Sequence, residues 1–245
     1  MSESLTPIDR SSMPEFADYL TVDDTSSKDL TILLTDKGLS LRKSRPEIEN
    51  IFVPEYINKF KSQMIGSAAI DCAVKTRDYI WRGGDSEVYE LAPGIAVKEV
   101  IKRADPVGSV NRMSLLSDLA EEKLPDWISV PDQYGVVLPE STKDAFVAMQ
   151  KVNSGINVHW LLEPDCLNDF QRKKIENDIG EVGPTQQVDI RDAYKQLEEE
   201  LFTAVDGSIY LTEEILPDFH EANVLVERLT QPVEDKSYKL WVIDQ

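Results

Sequence analysis

Pro93-Gly94 stands between two runs that are built for extended chain rather than helix. Glu87-Val88-Tyr89-Glu90-Leu91 precedes it and Ile95-Ala96-Val97-Lys98-Glu99-Val100-Ile101 follows. Proline fixes the backbone entering the turn and glycine accepts the left-handed conformation leaving it, so the segment reads as strand, tight turn and strand. Side chains alternate along a strand, so Ala96 and Lys98 share one face, and Ile95, Val97 and Ile101 take the other. A small residue beside an inward lysine leaves room for a flat ligand and puts a cation near its anionic end. Taken alone, Lys98 reads first as a surface lysine on a hairpin.

The neighbouring segments extend this pattern. Val130–Leu138 and Ala145–Met149 read as two more strands joined by the polar loop Pro139–Asp144. Between the strand pairs, Val110–Lys123 carries Met113, Leu115, Leu116, Leu119 and Ala120 at helical spacing and stops before Pro125. Residues 76–152 therefore hold about four strands and one helix. The rest turns helical: Val158–Leu162 opens a short helix, Asn168–Asp178 is helical in tendency, and Ile190–Val205 is a strong helix stopped at Gly207. Ile179–Val188, with Gly180, Gly183 and Pro184, reads as a loop or boundary. Strands and helices are segregated along the chain, so the fold class is α+β. Ahead of this lies an accessory extension, residues 1–75. It has a loose acidic arm, short strands at Asp29–Leu34 and Gly38–Arg42, and helices at Pro54–Met64 and Ile65–Val74.

A net charge of −19 argues against nucleic acid and anionic membranes as partners, because both repel such a surface. It also repels nucleotides at long range, so a nucleotide site needs its own lysine or metal. Cys72 and Cys166 lack metal-ligand spacing and read as reduced, buried thiols. There is no basic start followed by an apolar run, and no stretch of 18 apolar residues. The setting expected is the cytoplasm.

A second constellation lies near the C-terminal end. Leu216-Pro217-Asp218-Phe219-His220-Glu221-Ala222-Asn223 runs into the apolar strand Val224-Leu225-Val226. After a polar gap, Leu240-Trp241-Val242-Ile243 forms another short strand ending on Asp244. A two-stranded hairpin with Asp218, Asn223 and Asp244 at its mouth suits a magnesium–phosphate site, because magnesium prefers hard oxygen ligands.

In order and in kind these pieces resemble the protein-kinase-like phosphotransferases over Tyr79–Gln245. Gly83-Gly84-Asp85-Ser86 looks like the glycine-rich loop, with Val88 following it. Ala96-Val97-Lys98 looks like the A-x-K strand, and Asp118, Glu121 and Glu122 sit where the helix glutamate that pairs the lysine is expected. Met149-Gln150-Lys151-Val152 looks like the hinge, with Met149 at the back of the adenine pocket. Asp218 and Asn223 match the D-x-x-x-x-N catalytic loop, and Asp244 the metal-binding aspartate. The resemblance implies a two-lobe fold, with an antiparallel N-lobe carrying one helix at 76–152 and a partial, mainly helical C-lobe at 153–245. It also implies ATP and Mg2+ as cofactors. Lys98 would hold the α/β-phosphates, and the backbone of Gly83, Gly84 and Ser86 would cover them. Asn223 and Asp244 would take the metal, and Asp218 would orient the acceptor hydroxyl.

Departures from the pattern carry expectations of their own. Trp81 and Ser86 fall where two loop glycines would be. Leu216-Pro217 replaces the His-Arg before the catalytic aspartate, which removes the usual receptor for an activation-loop phosphate. His220 stands where protein kinases carry lysine, and D-x-H-x-x-N is similar to the aminoglycoside and choline kinase branch. The acceptor is thus either a protein Ser/Thr hydroxyl or a small-molecule hydroxyl. A pseudokinase that binds nucleotide or a partner without transfer is the remaining alternative.

Overall fold

A computed structural model describes residues 19–46, 79–82, 86–101, 105–140, 143–153, 156–180, 182–205 and 219–243. The Pro93-Gly94 hairpin joins β4 (Ser86–Ala92) to β5 (Ile95–Ile101), with Gly94 at φ +79° in the turn. Their partners are β3 (Tyr79–Arg82), β7 (Gln133–Pro139) and β8 (Asp144–Gln150). Two more strands, β1 (Thr21–Val22) and β2 (Leu30–Leu34), complete a seven-stranded sheet in the order β1-β2-β7-β8-β5-β4-β3. Every neighbouring pair in it is antiparallel. The expected α+β class is thus observed, and Tyr79–Arg82 adds a strand to the four anticipated in this region.

Two helices cover the two faces of this sheet. Alternation along β5 sends Ile95 and Val97 into a core with Ile32, Leu34, Tyr134 and Phe146. Leu39 and Leu41 of α1 (Asp36–Ser44) close that side. Val100 goes the other way, packing with Val136, Ala145, Val147 and Val110 of α2 (Pro106–Lys123). Proline at the first turn of α2 lets the helix begin earlier than Val110, with the Asp105 carboxylate accepting from the Gly108 N–H at 3.1 Å.

The expected strand at Gly38–Arg42 is instead helix α1. Thr35 caps it, its hydroxyl accepting from the Gly38 N–H at 3.0 Å, and Asp36 and Arg42/Lys43 sit at the ends the helix dipole favours. Gly38 is there for closeness: a Cβ on it would stand 1.9 Å from the backbone oxygen of Tyr134. Thr35 secures the same contact, donating its hydroxyl to the Gln133 carbonyl at 2.6 Å and its N–H to that of Tyr134 at 3.1 Å. The described part of the extension is therefore woven into the sheet, with β2 paired along β7 from Leu30–Pro139 to Leu34–Gly135.

Buried Asp23 locks the start of this unit. It accepts from the Thr25 N–H at 2.9 Å and from the Thr25 hydroxyl, and pairs with Arg42 of α1. Burial works to raise its pKa, but the Thr25 bonds and the Arg42 guanidinium outweigh it and hold the carboxyl below the usual range. A group with a depressed folded pKa stabilises above its unfolded pKa and loses that contribution as pH falls through the folded value. Asp23→Asn is accordingly expected to cost about 1.5 kcal/mol near neutral pH. The gap to the parent should narrow as pH falls below about 4, where the unfolded carboxyl protonates, and close as pH passes below the folded pKa. Urea melts at pH 7 and pH 3 measure this; an equal gap at both would show that Asp23 acts by shape alone.

The second half packs on the other flank of α2. Met113 and Leu116 enter a core with α3 (Val158–Leu162), α4 (Asp169–Asp178) and α5 (Pro184–Ala204). The stretch expected as a loop up to Val188 is shortened, because Pro184 starts α5 and the Gln186 side chain accepts from the Gly183 N–H at 2.9 Å. Glycine and proline mark a helix start here rather than a break. A three-stranded sheet, β6 (Ile128–Ser129), β10 (Lys236–Val242) and β9 (Val224–Val233), completes this half. The hairpin β9–β10 is longer than its apolar ends suggest, turning at Glu234-Asp235 with φ of 48° and 65°, the positive values a two-residue hairpin turn needs. Trp127, Trp160 and Trp241 are core residues. Cys166, expected buried, is an exposed thiol because it ends a surface turn, Pro164–Cys166. Among the described residues no helix is long and apolar enough to cross a membrane.

Candidate functional site

Register on the large sheet decides which proposed residues meet. Val88 of β4 lies opposite Lys98 of β5, which lies opposite Val147 of β8. Ala96 lies opposite Met149. Directly opposed residues of antiparallel strands project to the same side. Val88, Ala96, Lys98 and Met149 therefore share the α2 side of the sheet, on three adjacent strands. Ala96 is buried, Val88, Lys98 and Met149 half-buried. Ser86 begins β4 opposite Val100. Gly83 and Gly84 lie outside the described residues, as do Asp218 and Asp244.

Lys151 follows Met149 by two residues on the connector into the second half. Its N–H donates to the Gly94 carbonyl at 3.0 Å, and its ammonium pairs with Glu90 of β4 at 2.5 Å. The side chain thus ties the connector to the β4–β5 hairpin.

The acidic residues of α2 face the N-terminal unit. Glu121 pairs with Lys37 of α1 at 2.5 Å. Asp118 accepts from the Tyr19 hydroxyl, whose pKa is pushed up to about 12 by burial and then by Asp118 and Glu122. Glu122 is exposed in the last helical turn. Of the three residues offered for pairing with Lys98, two are therefore engaged by Tyr19 and Lys37.

Around the C-terminal constellation the backbone is well anchored. Asn223 ends a short 3-10 turn, Glu221–Asn223, and passes directly into β9. Its carbonyl accepts from the Ile243 N–H at 2.9 Å, so Asn223 sits opposite the residue that precedes Asp244. His220, which stands where protein kinases carry lysine, caps this turn. Its Nδ1 accepts from the Ala222 N–H at 3.1 Å and its carbonyl from the Asn223 N–H at 2.9 Å, so ring and backbone both brace the turn. An accepting Nδ1 places the proton of the neutral ring on Nε2.

Phe219, next to Asp218, stacks on Tyr194 of α5 with ring centroids 5.7 Å apart and planes 4° from parallel. The Tyr194 hydroxyl donates to Glu198, and its pKa is raised by burial, then by Glu198 and Glu221. Burial and the nearby Glu221 also raise the pKa of Glu198. Helix α5 thereby grips the turn through one ring stack flanked by two carboxylates. Nothing in the sequence singled out Tyr194 for this; only its place in a helix preceding the loop hinted at it.

A cavity of about 520 Å³ lies elsewhere, walled by Trp160, Leu161, Leu167, Arg172, Ile175 and Val182. None of the residues proposed from the sequence lines it. Pairing and register carry more weight here than concavity.

The most informative residue missed by the sequence is Lys37. Its partners lie 80, 84 and 95 residues further along the chain, so no local pattern singles it out. Neither a protein-family model nor a curated protein matches this chain.

Proposed function

We propose that the protein is an ATP- and Mg2+-dependent phosphotransferase with a protein-kinase-like, two-lobe architecture, transferring the γ-phosphate to a hydroxyl. The observation that carries this reading is the strand order β3-β4-β5-β8-β7 with α2 inserted between β5 and β7, together with Lys98 and Ala96 on the α2 side. A glycine-loop hairpin, an A-x-K strand, a helix, two strands and a hinge in that spatial order are what the resemblance requires. The β9–β10 hairpin adds support by pinning Asn223 beside Ile243.

The residues present suit a nucleotide and a hard cation. Ala96 is small and buried between Lys98 and Met149, which fits a flat base bordered by a cation. Asn223 and Asp244 supply an amide and a carboxylate, the donors magnesium takes. When bound, the metal would neutralise charge on the phosphates. Lys98 would hold the α/β-phosphates, and Asp218 would orient the acceptor O–H toward the γ-phosphate. Phosphoryl transfer is mainly positioning and charge neutralisation, so a carboxylate of ordinary pKa suffices at Asp218. The glycine-loop, A-x-K and hinge pattern favours a protein Ser/Thr acceptor slightly, and His220 favours a small-molecule hydroxyl as the second reading.

Thermal unfolding of the full chain with ATP, with and without magnesium, tests the reading. ATP is expected to raise Tm only when magnesium is present. At a hundredfold excess over Kd the gain is about 2.7 kcal/mol, and Tm rises by roughly 5–10 °C. No effect of nucleotide under either condition would sink it.

A further inference from the structure

The ammonium of Lys37 has a full set of partners drawn from two separate elements. It donates to the Ser117 hydroxyl at 3.0 Å and the Glu121 carboxylate at 2.5 Å, both on α2, and to the Asp132 carboxylate at 2.7 Å, just before β7. An ammonium has three N–H donors, so these acceptors use all of them and fix its position. Ser117 also donates to Asp132 at 3.3 Å, closing the triangle. The base of Lys37 is equally fixed, because Gly38 and Thr35 press the start of α1 onto β7.

Asp132 continues the chain of contacts. Its N–H donates to the Gln150 side chain at 3.3 Å, and its carbonyl accepts from the Gln150 N–H at 2.7 Å. Gln150 stands between Met149 and Lys151, where β8 leaves the sheet for the connector. Lys37 thus links the last turns of α2 to the exit of β8 by two polar steps. Tyr19, on the same N-terminal unit, holds Asp118 on the same helix.

We infer that Lys37 is a positioning residue, a strap from the N-terminal unit that fixes α2 and the β8 exit relative to each other and thereby sets the spacing of the face that carries Ala96, Lys98 and Met149. This rests on the nucleotide reading above for its consequence, though not for its geometry. Without the ammonium, Asp132, Glu121, Asp118 and Glu122 are left as a like-charged group, and repulsion drives the end of α2 from the start of β7. The sheet face then loses its fixed distance to the helix that covers it.

The experiment uses the full-length chain and the variants Lys37→Met, Lys37→Arg and Glu121→Gln. Amide hydrogen exchange is followed in segments 114–123 and 148–152, and the Kd for Mg-ATP is measured by calorimetry. Lys37→Met is expected to speed exchange in both segments together and to weaken Mg-ATP about tenfold. Lys37→Arg should restore both, and Glu121→Gln, an exposed site that removes one anchor, should shift both in the same direction by less. Faster exchange in one segment alone, or in neither, overturns the strap whatever the nucleotide does. Faster exchange in both with an unchanged Kd overturns the positioning role. A parent protein that binds no Mg-ATP overturns the nucleotide reading and the positioning role together, and is told apart because it is read on the parent. If Lys37→Met does not fold, Glu121→Gln decides by the same two measurements.

Discussion

Gly38→Ala is expected to destabilise the protein by about 2 kcal/mol net, a drop in Tm of roughly 4–8 °C. Helix propensity alone gives the opposite sign, since alanine inside a helix is favoured over glycine by about 1 kcal/mol. The clash decides. A Cβ at residue 38 meets the Tyr134 carbonyl oxygen at 1.9 Å, and that oxygen belongs to the backbone of a central strand. It cannot swing aside as a side chain would. Helix α1 must back away, and the Thr35 bonds to Gln133 and Tyr134 lengthen with it. Overpacking of this kind costs about 3 kcal/mol before the propensity gain is subtracted. Scanning calorimetry gives the sign directly. A rise in Tm would mean that α1 does not lie on β7 as described.

Asp218→Ala is expected to lower transfer of labelled phosphate from ATP by about 10²–10⁴-fold, the usual worth of a positioned proton acceptor. Magnesium-dependent stabilisation by ATP should persist, because Lys98, Asn223 and Asp244 are untouched. The pairing of the two measurements carries the argument. Loss of transfer with retained binding marks Asp218 as acting on the acceptor. Transfer equal to the parent refutes it as the base. Loss of both would place Asp218 among the groups that hold the nucleotide. The neighbouring contacts make the substitution interpretable: Phe219 stays stacked on Tyr194, and His220 still braces the turn through Ala222.

What could be read in advance was local. The Pro93-Gly94 turn, the alternation that puts Ala96 and Lys98 on one face, and the helix at Val158–Leu162 follow from residues close in sequence. Proline and glycine misled where their sense depends on context: Gly183-Pro184 looked like a break and is the start of α5. Gly38 reads as the start of a strand, because the reason for it, the Tyr134 backbone, is almost a hundred residues away. β6 was invisible, being two residues long and recognisable only by its parallel pairing with Leu240 and Trp241. The site shows the same division. Spacing suggested Asn223 and its strand, whereas Tyr194, Lys37 and the ties on Asp118 and Glu121 depend on long-range contacts that no spacing encodes.

The placement of β2 has a consequence for how the chain is made. Thr35, one residue beyond that strand, bonds to a carbonyl 98 residues further along. A ribosome adding about 5–20 residues each second needs roughly 5–20 s to supply that partner. During that interval Ile32 and Leu34, both buried in the finished sheet, lack the partner strand β7 and its core residues Tyr134 and Val137. β2 therefore waits unpaired on this side until β7 has been made, and slow translation prolongs the time it spends open to unwanted pairing with other nascent chains.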